Sequence, residues 1–210
     1  MTGSYITVCR RSCEETIINK SRFIGYAAPC SDEKEALSFL SQIRDEHKSA
    51  THHCYAYIIG ENAGIMRYSD DGEPGGTAGM PIMDVLRQKK IVNCCVVVVR
   101  YFGGVLLGTG GLVRAYTKSA QATVDSAGIA CMELTVEESC ELPYSSWDKF
   151  RFVADQLHVR ISQINYSTSV SFQLSYRSAD REFLIPRLME AADRKLKSVF
   201  QREDYAAWTV

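Results

Sequence analysis

The chain has 210 residues, of which 46% are hydrophobic and 23% are charged, so it can bury a substantial core as one domain or two modest domains. Its net charge of −1 gives no bulk electrostatic reason to expect a nucleic-acid or membrane partner, although a local basic patch is compatible with it. The sequence contains no signal-peptide pattern and no apolar run of the length of about 18 residues that a membrane helix needs, so we expect a cytoplasmic protein without membrane contact.

Hydrophobic spacing predicts alternating strands and helices in the first part of the chain. In chain order these are strands over 5–10 and 14–28 (broken near 19–21), a helix over 31–47, a hairpin over 53–69, a helix over 77–88, a strand over 91–99 and a helix over 111–127. Ser31 and Thr77 are the expected N-caps, and Gly128 is the expected residue after the last of these helices. The strand over 91–99 is almost continuously apolar, which is typical of a strand buried on both faces.

After Gly128 the glycines stop, and the sequence changes character. The predicted elements are a strand that ends at 142, a helix over 145–158, strands over 160–165 and 169–176, a helix over 180–196 and a strand over 198–210. This β-α-β-β-α-β order is that of a ferredoxin-like sandwich. We therefore predict an α+β protein of two domains, over 1–138 and 139–210.

Eight cysteines are scattered along the chain without a C-x-x-C spacing, and several lie in strand-like apolar runs. This distribution is typical of reduced structural thiols rather than of a disulfide framework or a metal site. The adjacent His52 and His53 should project to opposite sides of a strand, and no Cys or His pair at ligand spacing completes a tetrahedral set. We expect no bound metal and no cofactor, and the role of the two histidines stays open.

Two glycine-rich segments each lie between a predicted strand and a predicted helix. We call "YSDDGEPGGTAGMP" (68–81) the first joint and "RYFGGVLLGTGG" (100–111) the second joint. Because each follows a strand and precedes a helix in one small domain, we expect them side by side at one end of a sheet.

Glycines at such joints let main-chain N–H groups converge on an anion at the positive end of a helix. The candidate anion-binding or nucleic-acid-binding residues are Arg100, Gly103, Gly104, Gly108, Gly110, Gly111, Arg114 and Lys118, and the candidate residues of the first joint are Asp70, Asp71, Glu73, Gly76, Thr77 and Gly79. The alternative is that the glycines only permit tight turns and close packing, and that Arg100 and Arg114 bind carboxylates of the first joint.

The acidic residues of the first joint have two interpretations. Asp70, Asp71 and Glu73 form either a carboxylate cluster, for a hard cation or for acid–base chemistry, or a solvated loop whose side chains cap a turn. The second interpretation is favoured because Asp beside Gly usually caps turns. No Ser or Cys has an identifiable base and orienting group, so the sequence assigns no catalytic residue.

Three segments, "SATHHCYAY" (49–57), "SDDGEPGGTAGMPI" (69–82) and "VVVVRYFGGVLLGTGGLVRAY" (96–116), resemble the Impact family, also called the YigZ family, in its bacterial two-domain form. The resemblance implies an N-terminal sandwich similar to domain 2 of ribosomal protein S5 and a C-terminal domain similar to domain V of elongation factor G. Eukaryotic relatives regulate translation by binding an activator of the kinase that phosphorylates initiation factor 2. The family brings no catalytic residues.

Three functions follow as hypotheses. The first is a non-enzymatic regulatory protein associated with translation, which binds RNA or a ribosome-linked partner at the joints. The second is an enzyme or sensor that holds a phosphorylated small molecule in the glycine loops, and it rests on fold analogy. The third is a pure protein-interaction module, which exposure of Phe102, Val105, Leu106 and Leu107 would favour.

Overall fold

The computed structural model describes residues 3–208, which form five α-helices and two antiparallel sheets in an α+β arrangement. The described chain divides into two compact units: one over 5–131, and one that contains 132–208 together with 3–4. The domain boundary that the sequence predicts, between 138 and 139, falls inside a strand.

The N-terminal unit contains the first six strands and first three helices. These are β1 (Ser4–Val8), β2 (Ser12–Ile18), β3 (Ser21–Pro29), α1 (Glu33–Glu46), β4 (His52–Ile59), β5 (Ile65–Ser69), α2 (Gly79–Gln88), β6 (Cys94–Tyr101) and α3 (Gly108–Ala127). Its sheet has the order β2-β3-β6-β4-β5. The predicted break near 19–21 is a two-residue turn, in which Asn19 and Lys20 both have positive φ.

Helices cover both faces of this sheet, and the central strand β6 is buried on both sides as predicted. Its alternate residues Cys94, Val96 and Val98 pack in one cluster with α2 and α3. The intervening Cys95, Val97 and Val99 pack with α1 on the other face. The prediction of a doubly buried strand is confirmed, although all the pairings in this sheet are antiparallel.

Strand directions place the two joints at the same edge of the sheet. Both β5 and β6 run antiparallel to β4, so they run in the same direction and both end where β4 begins. The first joint follows β5 and the second follows β6. The prediction that the joints lie side by side is confirmed.

The helix starts differ from the predicted ones. The N-cap of α1 is Asp32, whose side chain accepts from the N–H of Glu35, and not Ser31. The N-cap position of α2 is Ala78 rather than Thr77. Helix α3 begins at Gly108, so Gly108, Gly110 and Gly111 belong to its first turn and do not precede it.

The C-terminal unit has the predicted order β-α-β-β-α-β. Its elements are β7 (Ile129–Leu142), α4 (Tyr144–Gln156), β8 (Arg160–Tyr166), β9 (Val170–Arg177), α5 (Arg181–Ala191) and β10 (Lys197–Trp208). Within this unit the sheet order is β7-β9-β8, and β10 also pairs with β7. Helix α5 ends five residues before the predicted 196, because the chain turns through positive φ at Asp193 and Arg194. Of the predicted last strand, 209–210 lie outside the described residues.

Candidate functional site

Asp70 of the first joint caps helix α2 from a position well upstream of it. Its Oδ1 accepts from the N–H groups of Ala78 and Gly79 at 3.0 and 2.8 Å, and its Oδ2 accepts from Gly76 at 2.8 Å. The first N–H groups of a helix need such acceptors, and the helix dipole favours a negative charge there. The anion position at the start of α2 is therefore already filled by the protein itself.

Asp71 and Thr77 of the first joint also have hydrogen-bond partners within the protein. The Asp71 carboxylate accepts from the backbone N–H of His53 at 2.6 Å and lies 3.5 Å from Arg44 Nη2. The Thr77 hydroxyl donates to the carbonyl of Pro74 at 2.6 Å. Of the acidic residues, Asp70 caps a helix, whereas Asp71 binds the backbone at the start of β4.

Glu73 is buried between the two joints and connects them. Its Oε1 accepts from Arg100 Nη1 at 2.7 Å and from the Tyr116 hydroxyl at 2.7 Å. Burial raises the pKa of Tyr116 strongly, so the hydroxyl stays protonated and donates to the carboxylate. The Sγ of buried Cys54 lies 3.0 Å from the carbonyl oxygen of Asp70, to which it donates, and 3.4 Å from the Tyr116 oxygen, and burial raises the pKa of this thiol well above its usual value. Cys54 is therefore a poor nucleophile.

Arg100 is not the exposed anion contact that the sequence suggests. Its side chain lies on the α2 and α3 face of β6, in register with Val96 and Val98, and Arg100 is 5% exposed. Besides Glu73, its Nη2 reaches Ser21 Oγ at 3.4 Å. The expected alternative, an arginine bound to a carboxylate of the first joint, is the arrangement that the structure contains.

Two of the candidate glycines are needed for packing. A Cβ at Gly103 would overlap the backbone of Lys20, and one at Gly79 would lie 2.7 Å from the carbonyl of Ser69. These positions bring chain segments together, which only glycine permits.

Other candidate glycines have open space around them. Gly76, Gly104 and Gly108 have positive φ, and a Cβ at any of them would meet no heavy atom within 4 Å. Gly110 has neither a positive φ nor a neighbour within that distance, although glycine inside a helix is unfavourable. Packing within the N-terminal unit thus explains Gly103 and Gly79 and leaves Gly110 unexplained.

A cavity of about 450 Å³ lies where the two joints meet. Most of its lining is apolar, and its polar residues include Thr51, His52, Glu73, Arg100 and Thr109. His52 Nδ1 lies 2.8 Å from the carbonyl of Asp71, so Nδ1 carries the proton and Nε2 is the nitrogen 3.8 Å from Glu73 Oε1. His53 points the other way, with Nε2 at 3.1 Å from the carbonyl of His47, as predicted for adjacent strand residues.

Arg114 and Lys118 lie on the exposed side of α3, four residues apart. Among the described residues, neither side chain forms an ion pair or a hydrogen bond with another part of the protein. They do not line the cavity. Of the three predicted cations, the structure therefore leaves two available to a polyanion.

The segment 102–107, which we call the apolar loop, projects large hydrophobic side chains into solvent. Leu106 is 86% exposed, Phe102 is 47% exposed and Val105 is 40% exposed, while Leu107 is half-buried. Leu106 is the most exposed of these side chains, and it also borders the cavity where the joints meet. Exposed apolar clusters of this kind mark interaction sites.

The candidate site residues that the sequence suggests do not include Leu112 and Tyr116, which complete the site, although both lie in the segment 96–116 that carries the family resemblance. Both lie on the helical stripe that predicts the core of α3, and both are buried. The burial of Arg100 has a signal in the sequence: it continues the alternation Cys94, Val96, Val98 toward one face of β6.

Two general features of the chain bear on the sequence-based expectations: the pairing of its cysteines and the character of its helices. All eight cysteines are unpaired, with Cys9 and Cys13 exposed. None of the described helices combines the length and apolar character needed to cross a lipid bilayer.

The part of the chain that contains the two joints matches a known domain family. The Impact N-terminal domain matches residues 19–124, which is just over half of the chain and includes every candidate site residue. The IMPACT family member YvyE of Bacillus subtilis is 40% identical over 82% of this chain and 80% of its own length. The chain belongs to the IMPACT family.

Two further comparisons give the same picture. The IMPACT family member YigZ of Escherichia coli is 46% identical over 47% of this chain and 50% of its own length. The crystal structure of a hypothetical protein matches 97% of this chain and 100% of its own with a TM-score of 0.62 and 28% identity.

Proposed function

We propose that this protein is a non-enzymatic regulator associated with translation, which acts in the cytoplasm, where translation takes place, by binding a ribosome-linked protein through the apolar loop. Membership of the IMPACT family supports the link to translation, through the resemblance to translation regulators. The observation that carries the choice of surface is the exposure of Leu106, at 86%, in a segment that the family match includes.

The assignment of the two units supports this proposal. We infer an N-terminal domain similar to ribosomal protein S5 domain 2 over 1–138 and a ferredoxin-like C-terminal domain over 139–210. The two-faced sheet with α1 on one side supports the first assignment. The pairing of β7 with β9, flanked by β8 and β10, supports the second.

Affinity capture from a cell lysate, with and without nuclease treatment, tests the kind of partner. A protein partner held by the apolar loop should be retained after nuclease treatment, because aliphatic contacts do not depend on RNA. Loss of every captured protein on nuclease treatment would contradict the proposal. The captured proteins should include ribosomal proteins or proteins that bind the ribosome.

RNA is the second candidate partner, and the exposed pair Arg114 and Lys118 is the observation that favours it. Two phosphate contacts on a single strand give a log–log salt slope of about −1.4, since each contributes about −0.7. Replacing both residues by Ala should abolish that slope without loss of fold. An RNA affinity that is insensitive to salt, or to the double substitution, removes this candidate.

A further inference from the structure

The cavity where the joints meet has the size and lining of a small-molecule site. Its volume of about 450 Å³ lies within the range of about 300–1,000 Å³ that is usual for ligand pockets. Phe102, Leu106, Leu107, Leu112 and Pro74 form its apolar walls. An apolar body of moderate size can therefore pack against these walls.

The N-terminus of α3 opens into this cavity without an internal anion. Gly108 and Thr109, its first two residues, line the cavity. The N-cap residue Leu107 provides no side-chain acceptor, and the first turn contains no acidic residue. The N–H groups of this 20-residue helix thus retain a partial positive charge that is available to a ligand. Gly110 leaves open space beside them, where a side chain would meet nothing of the protein.

Arg100 provides a second, independent reason to expect a ligand in this cavity. It lines the same cavity with a side chain that is 6% exposed, and its Nε–H has no hydrogen-bond partner among the described residues. Buried polar groups are normally paired, so the Nε–H of Arg100 needs an explanation even though the charge of the side chain is balanced by Glu73. Glu73 also lines the cavity, but Arg100 balances the charge of its carboxylate, and its Oε1 accepts a hydrogen bond from the Tyr116 hydroxyl.

We propose that this cavity binds a small organic anion, in which a phosphate or carboxylate head meets the N-terminus of α3 beside Arg100 and an apolar body packs against Phe102, Leu106 and Leu112. The first joint offers no such place, because Asp70 already occupies the start of α2. This site does not depend on the proposed partner: the ligand would lie beneath the apolar loop, and the partner would contact its outer surface.

Titration of the full chain with phenyl phosphate, followed by amide NMR and calorimetry, tests the site. We expect saturable binding that shifts the amide signals of Gly108, Thr109 and Gly110, and an affinity at least ten-fold higher than that of inorganic phosphate, which lacks the apolar body. Parallel titration with benzoate shows whether the site prefers a carboxylate or a phosphate head. Absence of saturable binding by both aromatic anions, or shifts centred on Arg114 and Lys118, would overturn the proposal.

Two variants with the same change in charge separate the site from a general electrostatic effect. Thr109→Asp places a carboxylate in the first turn of α3, where the helix dipole favours it, so this variant should fold and should bind at least ten-fold more weakly. Gln121→Asp adds the same charge on an exposed position of α3 outside the cavity, and its affinity should stay within two-fold of the unaltered protein. Equal losses in both variants, or none in Thr109→Asp, would refute the assignment.

Discussion

Glu73 holds the two joints together, because its buried carboxylate joins Arg100 at the end of β6 to Tyr116 on α3. A buried charge pair is weak evidence for net stability, since desolvation offsets the attraction. Removing one partner is nevertheless costly, because the other charge then stays buried without compensation. The pair therefore fixes the geometry of the site more than it adds to stability.

We predict that Glu73→Ala lowers the free energy of unfolding by about 3–5 kcal/mol, because it leaves Arg100 buried and unpaired. Urea denaturation followed by circular dichroism measures the change. Glu15→Ala is the matched control, since it removes a carboxylate from the exposed pair with Arg22. That control should leave the midpoint nearly unchanged, and an equal loss in both variants would show that burial of the pair is not the cause.

The eight thiols differ in burial, and we expect their reactivity to follow it. Burial raises the pKa of Cys30 to about 11 and that of Cys140 to about 12, whereas Cys9 and Cys13 are exposed. Because the thiolate is the reacting form, we predict that a thiol reagent at pH 8 modifies Cys9 and Cys13 first in the native protein. Denatured protein protected from air should yield eight thiols. A count of six or fewer would indicate a disulfide.

At the scale of elements, the starts of helices are where sequence and structure differ most. The pattern predicts Thr77 as the cap of α2, because N-caps are usually local. The structure instead uses Asp70, eight residues before Ala78. This contact forms only once the first joint folds back on itself, so neither periodicity nor local capping rules can predict it.

We predict that Asp70→Ala destabilises the protein more than Thr77→Val does. The first substitution removes the acceptor of two N–H groups at the start of α2, those of Ala78 and Gly79, and of the N–H of Gly76 before the helix, which should cost about 1–2 kcal/mol as for other N-caps. The second removes one hydroxyl bond to Pro74 while keeping the shape of the side chain. Thermal denaturation of both variants gives the comparison. A larger loss for Thr77→Val would restore Thr77 as the cap.

Helices and strands whose hydrophobic residues recur at a regular spacing can be predicted from the sequence alone. The alternation in β6 and the glycine-bounded hairpin of β4 and β5 predict the strands, and the strand directions bring the two joints together. The sequence pattern extends α5 beyond its actual end, because the turn at Asp193 and Arg194 uses non-glycine residues with positive φ. Such residues carry little local signal for a turn.

At the scale of the whole molecule, the sequence predicts that the two joints meet, but it does not predict the contacts that each side chain makes there. The two joints meet as expected, yet Arg100 is buried and Asp70 occupies the start of α2. These roles depend on which face of β6 each side chain takes and on contacts distant in sequence. The exposed residues Leu106, Arg114 and Lys118 retain the accessibility that binding requires.

The account as a whole depends on the apolar loop as the surface that contacts a ribosome-linked protein. Co-sedimentation with ribosomes through a sucrose cushion tests this directly, with the unaltered protein, Leu106→Glu and Leu37→Glu. Leu37 is 48% exposed on α1, on the other face of the sheet, so it is a matched exposed leucine outside the proposed surface. We predict that the unaltered protein and Leu37→Glu sediment equally and that the bound fraction of Leu106→Glu falls at least ten-fold, since a charge would be buried at the contact. Equal sedimentation of all three proteins, or no sedimentation of the unaltered protein, would contradict the account.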